Sequence, residues 1–148
     1  MRHSLSHCLL CGLVLLALAL PGASVLADTP DASEDAYALE AQSLRAHFDV
    51  SLRPERSPPE IGTLHSWLVR VTDRAGDPVY PVALAVGGGM AGHGHGLPTQ
   101  PQITAYLGDG THRIEGVRFN MAGEWTLRIG IEYGGLRDIA ELQFEIDF

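Results

Sequence analysis

The most regular feature of this chain is an alternation of apolar and polar residues that starts at Phe48 and recurs to the C-terminus. A period of two is typical of β-strands with one packed face and one face in water. Seven segments show this pattern. The predicted strands cover Phe48–Leu52, Thr63–Asp73, Val79–Val86, Ile103–Leu107, His112–Phe119, Trp125–Tyr133 and Leu142–Phe148.

The residues between these segments favour turns and antiparallel connections. Asp109-Gly110 is typical of a tight hairpin, because both residue types tolerate positive φ angles. The apolar phase shifts at Gly116, which predicts a β-bulge in the fifth strand. Seven short strands at roughly ten-residue spacing predict an all-β fold, a seven-stranded antiparallel immunoglobulin-like β-sandwich. An open or closed barrel is the alternative.

The first 27 residues have the order of a secretory signal. A basic start at Arg2 precedes an apolar run from Leu9 to Leu20, Pro21-Gly22 ends that run, and Val25-Leu26-Ala27 offers small residues at the positions that signal peptidase reads. The run is shorter than the roughly 18 residues of a membrane span. We therefore expect a cleaved signal peptide at 1–27, a periplasmic or secreted protein, and no stable membrane span after cleavage. The alternative is an uncleaved N-terminal anchor.

Between the signal and the first predicted strand, residues 28–46 are acidic and Ala-rich and lack the pattern of a core. We expect a linker here. Ser33 is a suitable cap for a short helix over Glu34–Arg45, although the apolar stripe is only partial. The remaining residues, 47–148, are then one β-sandwich domain.

Composition excludes several classes of function for that domain. The only cysteines, Cys8 and Cys11, lie in the signal segment, so the domain has no disulfide, no thiol redox chemistry and no thiolate metal site. The chain has no lysine, and beyond Arg2 nine arginines face eighteen carboxylates, for a net charge of about −9. A negative surface of this kind repels nucleic acid and anionic lipid.

Histidine and methionine are concentrated where the predicted topology brings chain segments together. If every strand crosses the sandwich once, the start of the second strand and the segments after the third and fifth strands reach the same end. His47 and His112 fall at the opposite end by the same count. The residues expected to converge as metal ligands are His65, Met90, His93, His95 and Met121.

Imidazole nitrogen combined with thioether sulfur indicates copper, as Cu(I), Cu(II) or both, in preference to zinc or calcium. Glycines from Gly87 to Gly96 allow the loop backbone to approach a ligand closely. Histidines that simply face water and methionines that fill the core are the alternatives for these residues. No Ser/His/Asp or Cys/His arrangement is evident, and Ser66 lies on the face opposite His65, so we do not expect an enzyme.

Three segments resemble the YtkA-like domain, a relative of the FixH-type proteins. They are His65-Ser66-Trp67, the stretch from Gly89 to Pro101, and the stretch from Ile114 to Leu127. The resemblance implies an immunoglobulin-like sandwich, exported or membrane-tethered, with some members linked to copper handling or cytochrome oxidase maturation. The chain departs from the family at Ala91, where proline is frequent, and in the expected cleavage of its only apolar segment, since FixH-type members keep a membrane anchor.

These observations predict an exported copper-binding protein that acts as a periplasmic copper carrier or chaperone, without catalytic turnover. Its partners would be the metal ion and a periplasmic or membrane-bound cuproprotein, such as an oxidase assembly partner. The alternative is a non-metal protein-interaction module that docks a partner through its Gly-rich loop. A small-ligand pocket lined by Trp67, Trp125 and Tyr133 is a further alternative.

Overall fold

A computed structural model describes residues 37–147 of the chain. This part contains nine strands and one short 3₁₀ turn at Ala91–His93, so the predicted count of seven strands is wrong. None of its helical segments is long and apolar enough to cross a membrane. The strands are β1 (Leu39–Gln42), β2 (Phe48–Pro54), β3 (Leu64–Asp73), β4 (Ala83–Met90), β5 (His95–Gly96), β6 (Gln102–Gly108), β7 (Thr111–Arg118), β8 (Gly123–Tyr133) and β9 (Leu136–Ile146).

The strands form two antiparallel sheets, which agrees with the predicted all-β sandwich. One sheet has the order β1-β2-β3-β7-β6, and the other has the order β5-β4-β8-β9. The inward residues of both sheets make one core, and its largest members are aromatic: Phe119 meets Trp125, Trp67 and Phe144 with ring centroids 5.2 to 6.1 Å apart. Aromatic contacts of this geometry add about 0.5–1.5 kcal/mol each beyond the burial of apolar area.

The long strands β8 and β9 follow the alternation read from the sequence. Trp125, Leu127 and Ile129 of β8 are fully buried. The outward residues are polar, and Arg128 pairs with Glu141 of β9 at 2.8 Å on the solvent face. An exposed pair of this kind contributes about 1 kcal/mol or less. The charges on β9 also protect this edge strand from pairing with other chains.

Both local irregularities predicted from glycine are present. Asp109 and Gly110 have φ angles of 50° and 72°, so they form the tight turn between β6 and β7. The β3–β7 register shifts between His65 and Trp67, opposite Gly116, whose φ of 86° identifies the bulge. Both positions need backbone angles that most residues adopt only with strain.

The segment predicted as a linker contributes a strand. Residues 39–42 pair with β2, with Leu39 opposite Leu52 and Gln42 opposite Asp49, so no helical turn forms in the described part of Glu34–Arg45. The apolar residues Leu39 and Ala41 pack against the core at spacing two. A four-residue strand shows only two such positions, which is too few to separate the strand pattern from a partial helical stripe.

A buried carboxylate fixes the turn between β1 and β2 to the opposite sheet. Asp138, on β9, accepts hydrogen bonds from the Ser43 hydroxyl at 2.7 Å and from the backbone N–H groups of Ile139, Arg45 and His47 at 2.9 to 3.3 Å. Burial raises the pKa of the Asp138 carboxyl, but these hydrogen bonds outweigh it and lower the pKa to about 2. The ionised group therefore holds the two sheets together here.

Candidate functional site

One end of the sandwich gathers the segments that carry the predicted ligands. β3 starts at this end and β7 finishes there, with Leu64 opposite Arg118. In the other sheet β4 finishes opposite the first residues of β8, with Gly89 opposite Thr126. Residues 119–122 connect β7 to β8, so both sheets share this end. We call it the His/Met end, because His65, Met90, His93, His95 and Met121 all lie in the segments that meet here.

The predicted Gly-rich loop is mostly a hairpin of β4 and β5. Gly89 lies opposite Gly96, and Met90 lies opposite His95. A Cβ atom on Gly88 would lie 2.1 Å from the Thr126 carbonyl oxygen, and one on Gly89 would lie 2.0 Å from the His95 carbonyl oxygen. The two glycines therefore let β4 approach both neighbouring strands more closely than a side chain would permit.

His93 and His95 form a pair at the tip of this hairpin. Their ring centroids are 6.0 Å apart and their planes differ by 17°. Both side chains are exposed. Exposed side chains change rotamer within nanoseconds, so turning one nitrogen of each ring toward a common ion meets little resistance. The arrangement is suited to holding one metal ion between two imidazoles.

The sequence predicts Met90 in the loop after the third strand, but in the structure Met90 is the last residue of β4. Its side chain is only 2% exposed, and its Cε lies over Gly123, 2.8 Å from where a Cβ on that glycine would be. Directly opposite residues in an antiparallel pair have Cβ atoms about 4.5–5.5 Å apart on the same face. His95 therefore stands at the rim of the core that Met90 enters.

Met121 is the more accessible thioether. It packs against the core but is partly exposed, and it lines a cavity of about 490 Å³ together with Pro58, Pro59 and Ile61. Its backbone carbonyl accepts a hydrogen bond from Trp125 Nε1 at 3.1 Å. This bond fixes the connection between β7 and β8 on the buried indole.

His65 is held by the loop that precedes β3. Its ring stacks on Phe119 with centroids 6.1 Å apart and planes at 26°. Its Nε2 lies 2.8 Å from the Glu60 carbonyl oxygen and 2.9 Å from Thr63 Oγ1. Sequence reasoning missed both partners. Thr63 could have been noticed as a polar neighbour on the same strand face, but nothing in the sequence marks the carbonyl of Glu60.

The other two histidines of the described chain lie at the far end. His47 Nδ1 is 3.3 Å from Asp138 Oδ2 without hydrogen-bond geometry. His112 is buried, and its Nδ1 donates to the Gly110 carbonyl oxygen at 3.3 Å. Burial lowers the pKa of His112, and the hydrogen bond to Gly110 opposes this effect only in part.

Within residues 37–147, no three His, Cys, Asp or Glu side chains are grouped so that they could hold a metal ion. His65 therefore does not join His93 and His95 in a three-imidazole site. A metal ion bound at this end by the predicted residues would have at most two imidazoles in one set, and the thioether sulfurs of Met90 and Met121 would be the remaining candidate donors. Such a donor set is suited to a soft ion, since thioether sulfur binds Cu(I) well and zinc poorly.

Comparisons of the chain with protein-family models, with curated proteins and with solved structures each found no match.

Proposed function

We propose that this protein is an exported copper-binding protein that carries the ion in the periplasm and passes it to a partner. The observation that carries the proposal is the His93–His95 pair, with ring centroids 6.0 Å apart, on a hairpin tip directly opposite Met90. Nitrogen and sulfur donors are thereby available from one short segment of chain. Copper is the common ion that binds both donor types well.

The exposure of the two imidazoles supports transfer in preference to permanent storage. A carrier must release its ion, and a partner must be able to replace one ligand at a time. His93 and His95 are exposed at the tip, whereas Met90 is buried. A partner can therefore approach from the imidazole side. The same proposal includes four further statements: the partner is a cuproprotein, the N-terminal segment is a signal peptide, the chain is a YtkA-like protein, and the sandwich has immunoglobulin-like topology.

A competition titration with a Cu(I) chelator tests it. The protein should be recovered from the periplasm of an expressing bacterium, with Cys8 and Cys11 replaced by Ser so that no thiol contributes. The His93→Asn/His95→Asn variant should lose at least about tenfold in Cu(I) affinity, which corresponds to about 1.4 kcal/mol. The His47→Asn variant, changed at the far end, should bind like the wild type.

A second double variant tests the wider ligand set. His65→Ala/Met121→Leu should also weaken Cu(I) binding by about tenfold or more if these residues contribute. Wild-type affinity in this variant would remove both residues from the site. Wild-type affinity in both double variants would refute the site.

A non-metal interaction module is the second candidate, and its support is the close approach of β4 to both neighbouring strands, at Gly88 to β8 and at Gly89 to β5. The strands hold the exposed turn at residues 91–96 in place, and an exposed, fixed turn is a suitable docking element. It predicts no measurable Cu(I) affinity in the wild type. It also predicts that deletion of residues 88–96 abolishes partner binding while the rest of the fold remains.

A further inference from the structure

A cleft at the His/Met end brings together four separate segments of the chain. They are the chain just before β1, the loop that leads into β3, the connection from β7 to β8, and the residue that follows β9. The cleft has a volume of about 490 Å³, within the range of about 300–1,000 Å³ that is usual for small-molecule sites. We call it the Met121 cleft, and its apolar lining consists of Tyr37, Pro58, Pro59, Ile61 and Met121.

The apolar lining is held in place by the core. The Tyr37 ring meets the Phe144 ring edge to face, with centroids 6.4 Å apart and planes at 78°. The backbone at Met121 is fixed by the hydrogen bond from Trp125 Nε1. Tyr37 and Met121 pack against the core but remain partly exposed, so they offer apolar surface that a ligand could cover.

Two carboxylates complete the lining. Glu60 and Asp147 both border the Met121 cleft and are both exposed. Within residues 37–147 neither of them forms an ion pair with a basic side chain. The described lining also contains no arginine and no histidine. A cation that enters the cleft would therefore meet two uncompensated negative charges.

The tyrosine of the lining is itself affected by this negative potential. Burial raises the pKa of the Tyr37 hydroxyl, and the charges of Asp147 and Glu145 raise it further. Tyr37 is therefore neutral at physiological pH and adds no charge of its own. The face of a neutral tyrosine ring attracts a cation, and the attraction increases when the cation is partly removed from water.

The acidic lining is a local feature and does not simply follow from the net charge of the chain. Three other cavities in the described chain have volumes of about 330 to 570 Å³. Each of them is lined by at least one arginine, and these arginines are Arg45, Arg53, Arg70 and Arg137. The Met121 cleft differs from all three because its charged groups are carboxylates only.

We propose that the Met121 cleft binds a small organic cation with an apolar body, such as a quaternary ammonium compound that carries a phenyl group. The carboxylates favour a cation over an anion, and the apolar lining favours an organic cation over a metal ion. A hollow formed by four chain segments suits a compact ligand, whereas an extended peptide is usually bound along a strand edge or a groove. The inference does not depend on copper binding, since it uses neither His93 nor His95.

A proton NMR titration with benzyltrimethylammonium tests the proposal on the protein recovered from the periplasm of an expressing bacterium. The Tyr37 ring and the Met121 methyl group should shift until the site is saturated. Benzyl alcohol and phenylacetate carry the same phenyl group without the positive charge, and both should bind at least about fivefold more weakly. Tetramethylammonium, which lacks the phenyl group, should bind at least about tenfold more weakly.

Removal of the two carboxylates should weaken binding of the cation. Glu60→Gln/Asp147→Asn should lose about fivefold in affinity for benzyltrimethylammonium. Asp77→Asn/Glu132→Gln is the matched control: it removes the same two residue types at exposed positions of the far end and should bind like the wild type. Added salt should weaken binding of the cation and leave that of benzyl alcohol unchanged, because exposed charges are screened.

Several results would overturn the proposal. They are no saturable shift at Tyr37 and Met121, equal affinity for benzyl alcohol, and wild-type affinity in Glu60→Gln/Asp147→Asn. Binding of acetyl-Phe-Arg amide at least about tenfold more tightly than benzyltrimethylammonium would instead identify the occupant as a segment of a partner protein. Shifts at both residues that depend on protein concentration without any ligand would identify it as a second copy of this chain.

Discussion

Replacement of Asp138 by asparagine removes the charge that joins the β1–β2 turn to β9. The carboxylate is 1% exposed and accepts hydrogen bonds from Ser43 Oγ and from the backbone N–H groups of Arg45, His47 and Ile139. Asparagine has nearly the same shape, but one oxygen becomes an NH₂ group. That group faces donors instead of accepting from them, so at least one hydrogen bond is lost and a donor is left unpaired.

The expected cost follows from the pKa of Asp138. Its fall from 3.8 to about 2 means that folding favours the ionised carboxyl by about 2 kcal/mol. Because the folded pKa is the lower one, this stability is complete well above pH 4 and is lost as the pH falls through about 2. With the unpaired donor added, Asp138→Asn should lose about 2–4 kcal/mol at pH 7.

Urea unfolding at pH 7 and at intervals down to pH 2 measures this effect. The difference in free energy of unfolding between the wild type and Asp138→Asn should narrow by about 2 kcal/mol from pH 7 to pH 2, since at pH 2 the carboxyl of the unfolded wild type is protonated and that of the folded protein is about half protonated. Asp109→Asn is the matched control, because Asp109 is 72% exposed in its pair with Arg70 and should change stability by about 1 kcal/mol or less. A difference that stays constant from pH 7 to pH 2 would refute this reasoning.

Three further variants test packing and ligand chemistry. Gly89→Ala should lower the free energy of unfolding in urea by about 2 kcal/mol or more, because its Cβ would lie 2.0 Å from a β5 carbonyl oxygen. Gly87→Ala is the control and should be nearly neutral, because its Cβ would meet open space. Equal stabilities of the two variants would contradict the close approach. Trp125→Phe should lose about 1 kcal/mol more stability than Trp67→Phe, since of these two indole N–H groups only that of Trp125 has a hydrogen-bond partner in the described chain. A larger loss in Trp67→Phe would contradict this reasoning. Met121→Leu should weaken Cu(I) binding and leave Cu(II) binding nearly unchanged in paired titrations, because thioether sulfur prefers Cu(I); equal losses would argue for a structural effect.

Long strands were predictable because each supplies many alternating positions. β8 buries Trp125, Leu127, Ile129 and Ile131, and β9 buries every second residue from Asp138 to Ile146, an alternation that no helical stripe imitates. The two short strands β1 and β5 gave no such signal, since four and two residues cannot establish a period. The predicted strand Val79–Val86 begins and ends too early for β4, because the last four residues of β4 include three glycines that are typical of a loop yet pair with β8 or β5.

The end of the sandwich at which the His and Met segments meet could also be derived from the sequence. Counting strand crossings puts the start of β3 and the end of β4 on one side, and the two added strands, β1 and β5, do not alter that order. The distances within the site could not be derived in this way. The orientation of the His65 ring depends on its contact with the carbonyl of Glu60, and the burial of Met90 depends on the absence of a side chain at Gly123. Both are contacts between backbone and side chain across loops, which no sequence period encodes.

X-ray absorption at the copper edge of the Cu(I)-loaded protein tests most directly whether histidine and methionine bind one ion together. The expected result is imidazole nitrogen and thioether sulfur in the same first coordination shell, with the sulfur contribution reduced in Met90→Leu or Met121→Leu. A shell of nitrogen and oxygen alone, unchanged in both methionine variants, would contradict the proposed site.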